Sequence, residues 1–188
     1  FELNESIADL TIDFSGGVIK WVKIGGVDTP YQYNDFFITI NKDDIKIGEN
    51  QLEIGFEHPY SDNGSGLYRY VDSEDNNVYI YSNFEPYSAN KLFPSFDQPN
   101  LRATFDLSVT APKDWVVISA AKEKSVVEKG INKHWVFNTS PNHSTYIFPL
   151  HAGNYHVWED TFEDVPLRLF SRESLAKHVD ANWWFDVT

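Results

Sequence analysis

The 188-residue sequence contains no cysteine and no methionine. Without cysteine there can be no disulfide framework, no thiolate nucleophile and no thiolate ligand for a metal ion. The lack of thiols favours a reducing cytoplasm over a periplasm but leaves the compartment open. A chain of this length can still bury about 70% of the surface that its unfolded form exposes, so it needs no covalent cross-link to fold.

Positive charge is also scarce, because 15 Lys and Arg stand against 28 Asp and Glu, giving a net charge of −13. Nucleic-acid phosphates and anionic membrane surfaces both attract basic patches, so this balance opposes both kinds of partner. The longest stretch without Asp, Glu, Lys or Arg, His134–Trp158, is interrupted by Asn, Ser, Pro and Gly. We therefore expect neither nucleic-acid binding nor membrane insertion.

Several catalytic motifs are missing. The sequence has no H-E-x-x-H zinc helix, no G-x-S-x-G nucleophile elbow and no glycine-rich phosphate loop. The acids are too numerous for their spacing to identify a catalytic pair. The residues alone therefore predict no metal centre and no nucleophile in this chain.

Aromatic residues make up 16% of the sequence, and β-branched residues are common, as in half-buried sheets. Ala103–Thr110 alternates apolar and polar positions, and Val78–Tyr81 is a short β-rich run after a turn cluster. Further strands are predicted at Ala8–Phe14, Val18–Ile24, Phe36–Ile40, Gln51–Phe56 and Val165–Phe170. Turn signals recur about every 8–12 residues, which predicts an all-β sandwich or open barrel.

Two connections are less regular. Trp115–Ala120 and Ile131–Phe137 flank a charged segment and are interpreted as a hairpin. Thr145–Leu150 and Tyr155–Trp158 are interpreted as strands separated by a turn at Ala152–Asn154.

One segment has a helical pattern. Leu175, Val179 and Trp183 recur every four residues, and Ser171 or Ser174 could cap the helix. The expected architecture is thus all-β with one short C-terminal helix.

The segment after Val78–Tyr81 has an unusual composition. Its strand should end at Glu85-Pro86, because proline cannot donate to a ladder. The aromatic, proline-rich loop that follows should be rigid, with Phe93 and Phe96 in a core. Asp97, close to Pro99, is expected to accept nearby backbone N–H groups and fix the turn.

This segment resembles the N-terminal domain of the aminopeptidase N family, which are zinc-dependent exopeptidases. The family elements G-[FL]-Y-R, Y-x-[QN]-x-E, A-x-x-x-F-P-x-F-D-x-P and A-x-F match Gly66–Arg69, Tyr81–Glu85, Ala89–Pro99 and Ala103–Phe105. The resemblance implies a saddle-like curved sheet packed on a smaller sheet.

The resemblance also implies two site residues. Glu85 matches the acid that binds the substrate α-amine, and Asn83 matches a residue that lines the first specificity pocket. A carboxylate suits this task because it forms a charge-assisted hydrogen bond with an ammonium group. The sequence departs from the family's frequent Gln at Asn83, Cys at Ser95 and Glu at Gln98.

The resemblance implies that catalysis is carried out by a domain outside this sequence. We expect residues 1–171 to be the N-terminal β domain, lacking its first strand or strands, and 172–188 to lead towards a catalytic domain. That domain, in the same polypeptide, should carry zinc, whereas this chain carries no cofactor. The parent would remove N-terminal residues from peptides with a free N-terminus, and this chain alone should be inactive.

A second hypothesis is a free-standing β-sandwich module that binds a carbohydrate or a protein. Aromatic richness supports it, since Trp and Tyr faces can stack on ligands. Trp115, Trp135 and Trp158 lie in predicted strands, however, and are more simply explained as core residues.

Overall fold

The computed structural model describes every residue from Phe1 to Thr188. Strands contain 48% of the residues and helices 12%, so the predicted all-β class with a short C-terminal helix is confirmed. The strands are β1 (Glu2–Leu3), β2 (Leu10–Asp13), β3 (Val18–Ile24), β4 (Val27–Asp28), β5 (Tyr31–Tyr33), β6 (Phe37–Ile40), β7 (Gly48–Glu49), β8 (Leu52–Glu57), β9 (Gly66–Val71), β10 (Val78–Asn83), β11 (Arg102–Ala103), β12 (Ser108–Pro112), β13 (Val116–Ser119), β14 (Glu123–Lys129), β15 (Asn132–Phe137), β16 (His143–Ser144), β17 (Leu150–Gly153), β18 (Tyr155–Phe162) and β19 (Val165–Arg172). The helices are α1 (Ala181–Val187) and the 3-10 turns Lys42–Asp44, Ala89–Lys91, Thr145–Ile147 and Glu173–His178.

The chain forms two compact units, each built from discontinuous segments. The first contains Phe1–Tyr68, Ser82–Thr104 and Asn142–Phe148, and the second contains Arg69–Tyr81, Phe105–Pro141 and Pro149–Thr188. The chain therefore leaves the first unit within β9 and returns to it within β10.

The first unit contains two three-stranded antiparallel sheets, in the orders β2-β6-β5 and β4-β3-β8. In β2, Leu10 and Ile12 are buried while Thr11 is exposed, the alternation that a one-sided strand requires. The core of this unit consists of Leu10, Ile12, Phe14, Val22, Ile38 and Ile40.

The second unit contains the sheet β12-β15-β14 and the long hairpin of β18 and β19. Its core consists of Ala111, Val117, Trp135, Phe137 and Ala152. In its other sheet, β17 is central and pairs antiparallel with both β13 and β10.

Most predicted strands are confirmed, and Val18–Ile24 has the predicted bounds. The predicted strand Ala103–Thr110 is wrong as a continuous element, because β11 ends at Ala103 and β12 starts at Ser108. Burial still alternates through the gap, where Phe105 and Leu107 are half-buried and their neighbours are exposed. Periodicity thus identified the inward face but not the break in the ladder.

The predicted hairpin of Trp115–Ala120 with Ile131–Phe137 is wrong. The charged connection is itself a strand, β14, and it forms the hairpin with β15, with Lys129 opposite Asn132. Six of its seven residues are exposed, so its sequence lacks the apolar alternation of a half-buried strand. The strand at Val116–Ser119 pairs with β17 instead.

The predicted turn at Ala152–Asn154 is also wrong, since Ala152 and Gly153 belong to the central strand β17. A Cβ atom on Gly153 would lie 2.6 Å from Cδ1 of Tyr79. Gly153 therefore allows β17 to approach Tyr79 closely, rather than allowing a turn. The predicted strand Thr145–Leu150 is a 3-10 turn followed by the start of β17.

The helix is shorter than its apolar pattern suggests, and neither Ser171 nor Ser174 caps it. Asp180 is the N-cap of α1, and its side chain accepts a hydrogen bond from the Trp183 backbone at 3.2 Å. Trp183 is 56% exposed, so the predicted apolar face is not buried within this chain. Neither α1 nor any other helix is long and apolar enough to cross a bilayer.

Candidate functional site

The two residues singled out by the resemblance lie where β10 ends. Asn83 and Glu85 are exposed, whereas Phe84 between them is 2% exposed. The Phe84 ring packs 6.2 Å from that of Phe93 and 6.5 Å from that of Phe148, measured between centroids. This buried anchor directs Asn83 and Glu85 together towards the surface.

Asn83 is fixed by a neighbouring loop. Its side-chain amide donates a hydrogen bond of 2.8 Å to the carbonyl oxygen of Gly64. Two further contacts join this loop to the segment after Glu85: the Ser65 hydroxyl donates to Ser88 at 3.0 Å, and the Lys91 ammonium donates to Ser65 at 3.2 Å. The loop from residue 61 to residue 66 therefore braces the candidate site.

The residues around Glu85, rather than its own side chain, anchor this segment. Its carboxylate is exposed, and it forms no ion pair or hydrogen bond within the chain. The residue precedes a cis peptide bond to Pro86, after which the Tyr87 hydroxyl donates to Oδ1 of Asp13 at 2.7 Å. Partial desolvation of its hydroxyl, followed by the bond to Asp13, raises the pKa of Tyr87 to about 12.

Asp97 organises the loop below these residues, as predicted from its position near Pro99. Its carboxylate is 2% exposed and accepts from the backbone and side-chain amides of Asn90, at 3.1 and 2.8 Å, and from the Thr145 hydroxyl at 2.6 Å. The Asp97 backbone donates to Oδ2 of Asp13 at 3.0 Å. The sequence did not indicate these partners, since Thr145 lies 48 positions away.

Phe93 and Phe96, predicted to hold the loop, are both half-buried. Phe93 packs edge-on against Phe148 at 5.5 Å, and Phe96 packs edge-on against Phe1 at 5.4 Å. The departures at Ser95 and Gln98 lie in this loop. Ser95 pairs with Asp13 through both backbone groups, at 2.9 and 3.0 Å, and Gln98 is exposed.

The chain's own residues do not fit a zinc ion. No three His, Cys, Asp or Glu side chains converge in a way that could ligate a metal. His58, for example, contacts the Ser15 and Pro59 carbonyl oxygens, each at 2.7 Å.

Of the three tryptophans of the second hypothesis, Trp135 lies in a core and Trp115 packs against it. Trp135 is 8% exposed and belongs to the core of the second unit. Trp115 and Trp158 are half-buried, and the Trp158 ring lies 4.3 Å from that of His156.

These features define an all-β domain in which an exposed acid, Glu85, follows the end of a strand and is adjacent to the buried Phe84. The chain belongs to the Peptidase M1 N-terminal domain family, whose profile matches residues 1–147. The resemblance seen in the sequence is thereby confirmed.

Curated relatives agree with this assignment. The chain is 34% identical to aminopeptidase N of Streptomyces lividans, over all of this chain and 22% of the relative. It is 34% identical to probable aminopeptidase 1 of Sulfurisphaera tokodaii and 28% identical to aminopeptidase 2 of Candida albicans, over 79% and 91% of this chain and 18% and 19% of those relatives. The chain thus spans about a fifth of the length of these proteins.

Proposed function

We propose that this chain is the N-terminal domain of a zinc-dependent aminopeptidase and lines its active-site cleft. In this proposal Glu85 binds the substrate α-amine, and Asn83 lines the first specificity pocket. The observation that carries the proposal is the exposed Glu85 carboxylate, held at a strand end by buried Phe84, in a chain whose relatives are named aminopeptidases.

The magnitude of the interaction explains why a further domain is needed. An exposed ion pair contributes only about 0–1 kcal/mol, whereas even millimolar affinity needs about 4 kcal/mol. A cleft that excludes water strengthens the same contact, because the ammonium and carboxylate then interact at lower effective dielectric. The chain by itself should therefore be inactive and bind peptides too weakly to retain them.

The remaining parts of the proposal concern the parent polypeptide. Residues 1–171 form the N-terminal β domain, and residues 172–188 connect it to a catalytic domain in the same polypeptide. That catalytic domain would hold the zinc, whose chemistry would be the activation of a water molecule. Glu85 selects peptides with a free N-terminus, which is the property that defines an aminopeptidase.

The substitution Glu85→Gln in the full-length protein tests the amine contact. It keeps the shape of the side chain but removes the charge, so one charge-assisted hydrogen bond of about 1.5–3 kcal/mol is weakened. We expect kcat/KM for an amino-acid anilide to fall by about 10- to 150-fold. Steady-state kinetics across substrate concentrations gives this ratio.

The matched control is Glu5→Gln, which removes the same charge from another exposed residue of the first unit. Its kinetics should equal those of the parent protein. Unchanged kcat/KM in Glu85→Gln would show that the carboxylate does not bind the substrate amine.

A further inference from the structure

We propose that the Asn63-Gly64 peptide is a site of spontaneous deamidation, and that the reaction loosens the brace on Asn83. Asn63 is the only asparagine in the sequence that glycine follows, and it is exposed. Glycine has no Cβ atom to obstruct attack by its own backbone nitrogen.

Deamidation needs no reagent other than water. The Gly64 nitrogen loses its proton to a base and attacks Cγ of Asn63, and a proton is returned to Nδ2. The Cγ–Nδ2 bond then breaks, so that ammonia leaves and a succinimide remains. Water then opens either carbonyl of the ring, giving aspartate or isoaspartate. The net change is asparagine plus water to one of these acids plus ammonia, with no oxidation or reduction.

The structure stabilises the charge that develops in the first step. As the Gly64 nitrogen attacks, negative charge accumulates on Oδ1 of Asn63. Oδ1 already accepts hydrogen bonds from the Ser61 hydroxyl, at 2.8 Å, and from the Ser65 backbone amide, at 3.1 Å. The Ser61 oxygen in turn accepts from the Asn63 amide at 3.3 Å, which orients its own proton towards Oδ1. Two donors on a developing oxyanion lower its energy, as in acyl-transfer enzymes.

The product alters the brace of the candidate site. In isoaspartate the peptide bond to Gly64 is formed by the side-chain carbonyl of residue 63. One extra methylene group therefore separates Cα of residue 63 from the Gly64 nitrogen. The Gly64 carbonyl oxygen, which holds Asn83 at 2.8 Å, must then shift. The contacts of Ser65 with Ser88 and Lys91 lie on the same short loop. A consequence for substrate binding rests on the proposed function, whereas the chemistry at Asn63 does not.

Peptide mapping by mass spectrometry of the full-length protein, incubated at mildly alkaline pH, tests the chemistry. We expect the gain in mass that replaces an amide by an acid to accumulate at Asn63, faster at higher pH, with isoaspartate as one product. Asn4, which is also exposed but precedes Glu5, serves as the internal reference and should stay intact. An unmodified Asn63 after this incubation overturns the proposal.

Two variants separate the parts of the proposal. Ser61→Ala removes one donor to Oδ1 and should slow the reaction about three- to tenfold, the worth of one hydrogen bond. Asn63→Gln should not react, because its ring closure is less favourable. Equal rates in Ser61→Ala and the parent would overturn the role of the donors.

Kinetics of aged protein test the link to the site. We expect KM to rise with the modified fraction in the parent and to stay constant in Asn63→Gln. Modification without a change in KM would refute the link to Asn83, while the Glu85→Gln result would still decide the proposed function separately.

Discussion

Single buried polar atoms decide how the loop under the candidate site is held. The Asp97 carboxylate accepts three hydrogen bonds although it is almost fully buried. A buried carboxylate with complete hydrogen bonding is stable, but the loss of one acceptor leaves a buried donor without a partner.

Asp97→Asn should therefore destabilise the first unit. An amide nitrogen in place of one oxygen would face a donor of Asn90 or Thr145, at a cost of about 1–3 kcal/mol. Urea unfolding followed by tryptophan fluorescence measures the change. Asp62→Asn, at an exposed position of the same unit, should unfold like the parent. Coincident unfolding curves for Asp97→Asn would refute this account.

At this scale the sequence predicted the role of Asp97 but only part of its surroundings. Its proximity to Pro99 indicated a residue that fixes a turn. The hydroxyl of Thr145 and the carboxylate of Asp13 could not be predicted, because they lie 48 and 84 positions away and meet Asp97 only after folding. The exposure of Glu85 agrees with the expected surface role, while its contact with substrate stays a prediction.

Among the secondary-structure elements, the failures at β14 and β17 share one cause. Periodicity identifies a strand by the contrast between its two faces, and β14 and β17 have little of it. Most of β14 is exposed, while Ala152 and Gly153 of β17 are both buried. The Gly153 position resembled a turn because glycine is the residue of turns, but here it serves close packing.

Gly153→Ala tests this packing role. The new methyl group would meet the Tyr79 ring at 2.6 Å and the Val78 carbonyl oxygen at 3.0 Å, so the backbone of β10 or β17 would have to move. We expect a loss of about 1–3 kcal/mol of stability, typical of an overpacked core. Val127→Ala, at an exposed position of β14, should change the free energy of unfolding by less than about 0.5 kcal/mol. If both variants unfold at the same urea concentration, the close approach is not required.

The molecule as a whole should lose stability in strong alkali. Burial raises the pKa of Tyr155 to about 12, above the ordinary value of about 10 that applies in the unfolded chain. Between these values the folded protein binds more protons than the unfolded chain, so the free energy of unfolding falls as pH rises. Burial also raises the pKa of Tyr79, whose ring packs against Tyr155.

Tyr155→Phe should therefore lose less stability than the parent between about pH 10 and pH 12. Urea midpoints measured at several pH values in this interval give the slope. Tyr60→Phe, at an exposed position, is the control and should follow the parent. Parallel pH profiles for all three proteins would contradict the assignment.

At low pH the loss of stability is expected to involve Asp72. The backbone amide of Glu74, the Ser174 hydroxyl and the Arg172 guanidinium lower the pKa of Asp72. A lowered folded pKa contributes stability above the unfolded value, and this contribution is lost as pH falls through the folded value. Asp72 joins the turn after β9 to the end of β19, since Arg172 and Ser174 contact it at 2.8 and 2.7 Å.

The interleaving of the two units has a consequence for synthesis on the ribosome. The first unit includes Asn142–Phe148, which supplies the Thr145 hydroxyl to Asp97 and the Phe148 ring to Phe84. A nascent chain cannot form either contact while this segment is still inside the exit tunnel of the ribosome. Asp97 and Phe84 can therefore complete their packing only after Thr145 and Phe148 have been synthesised and have left the tunnel.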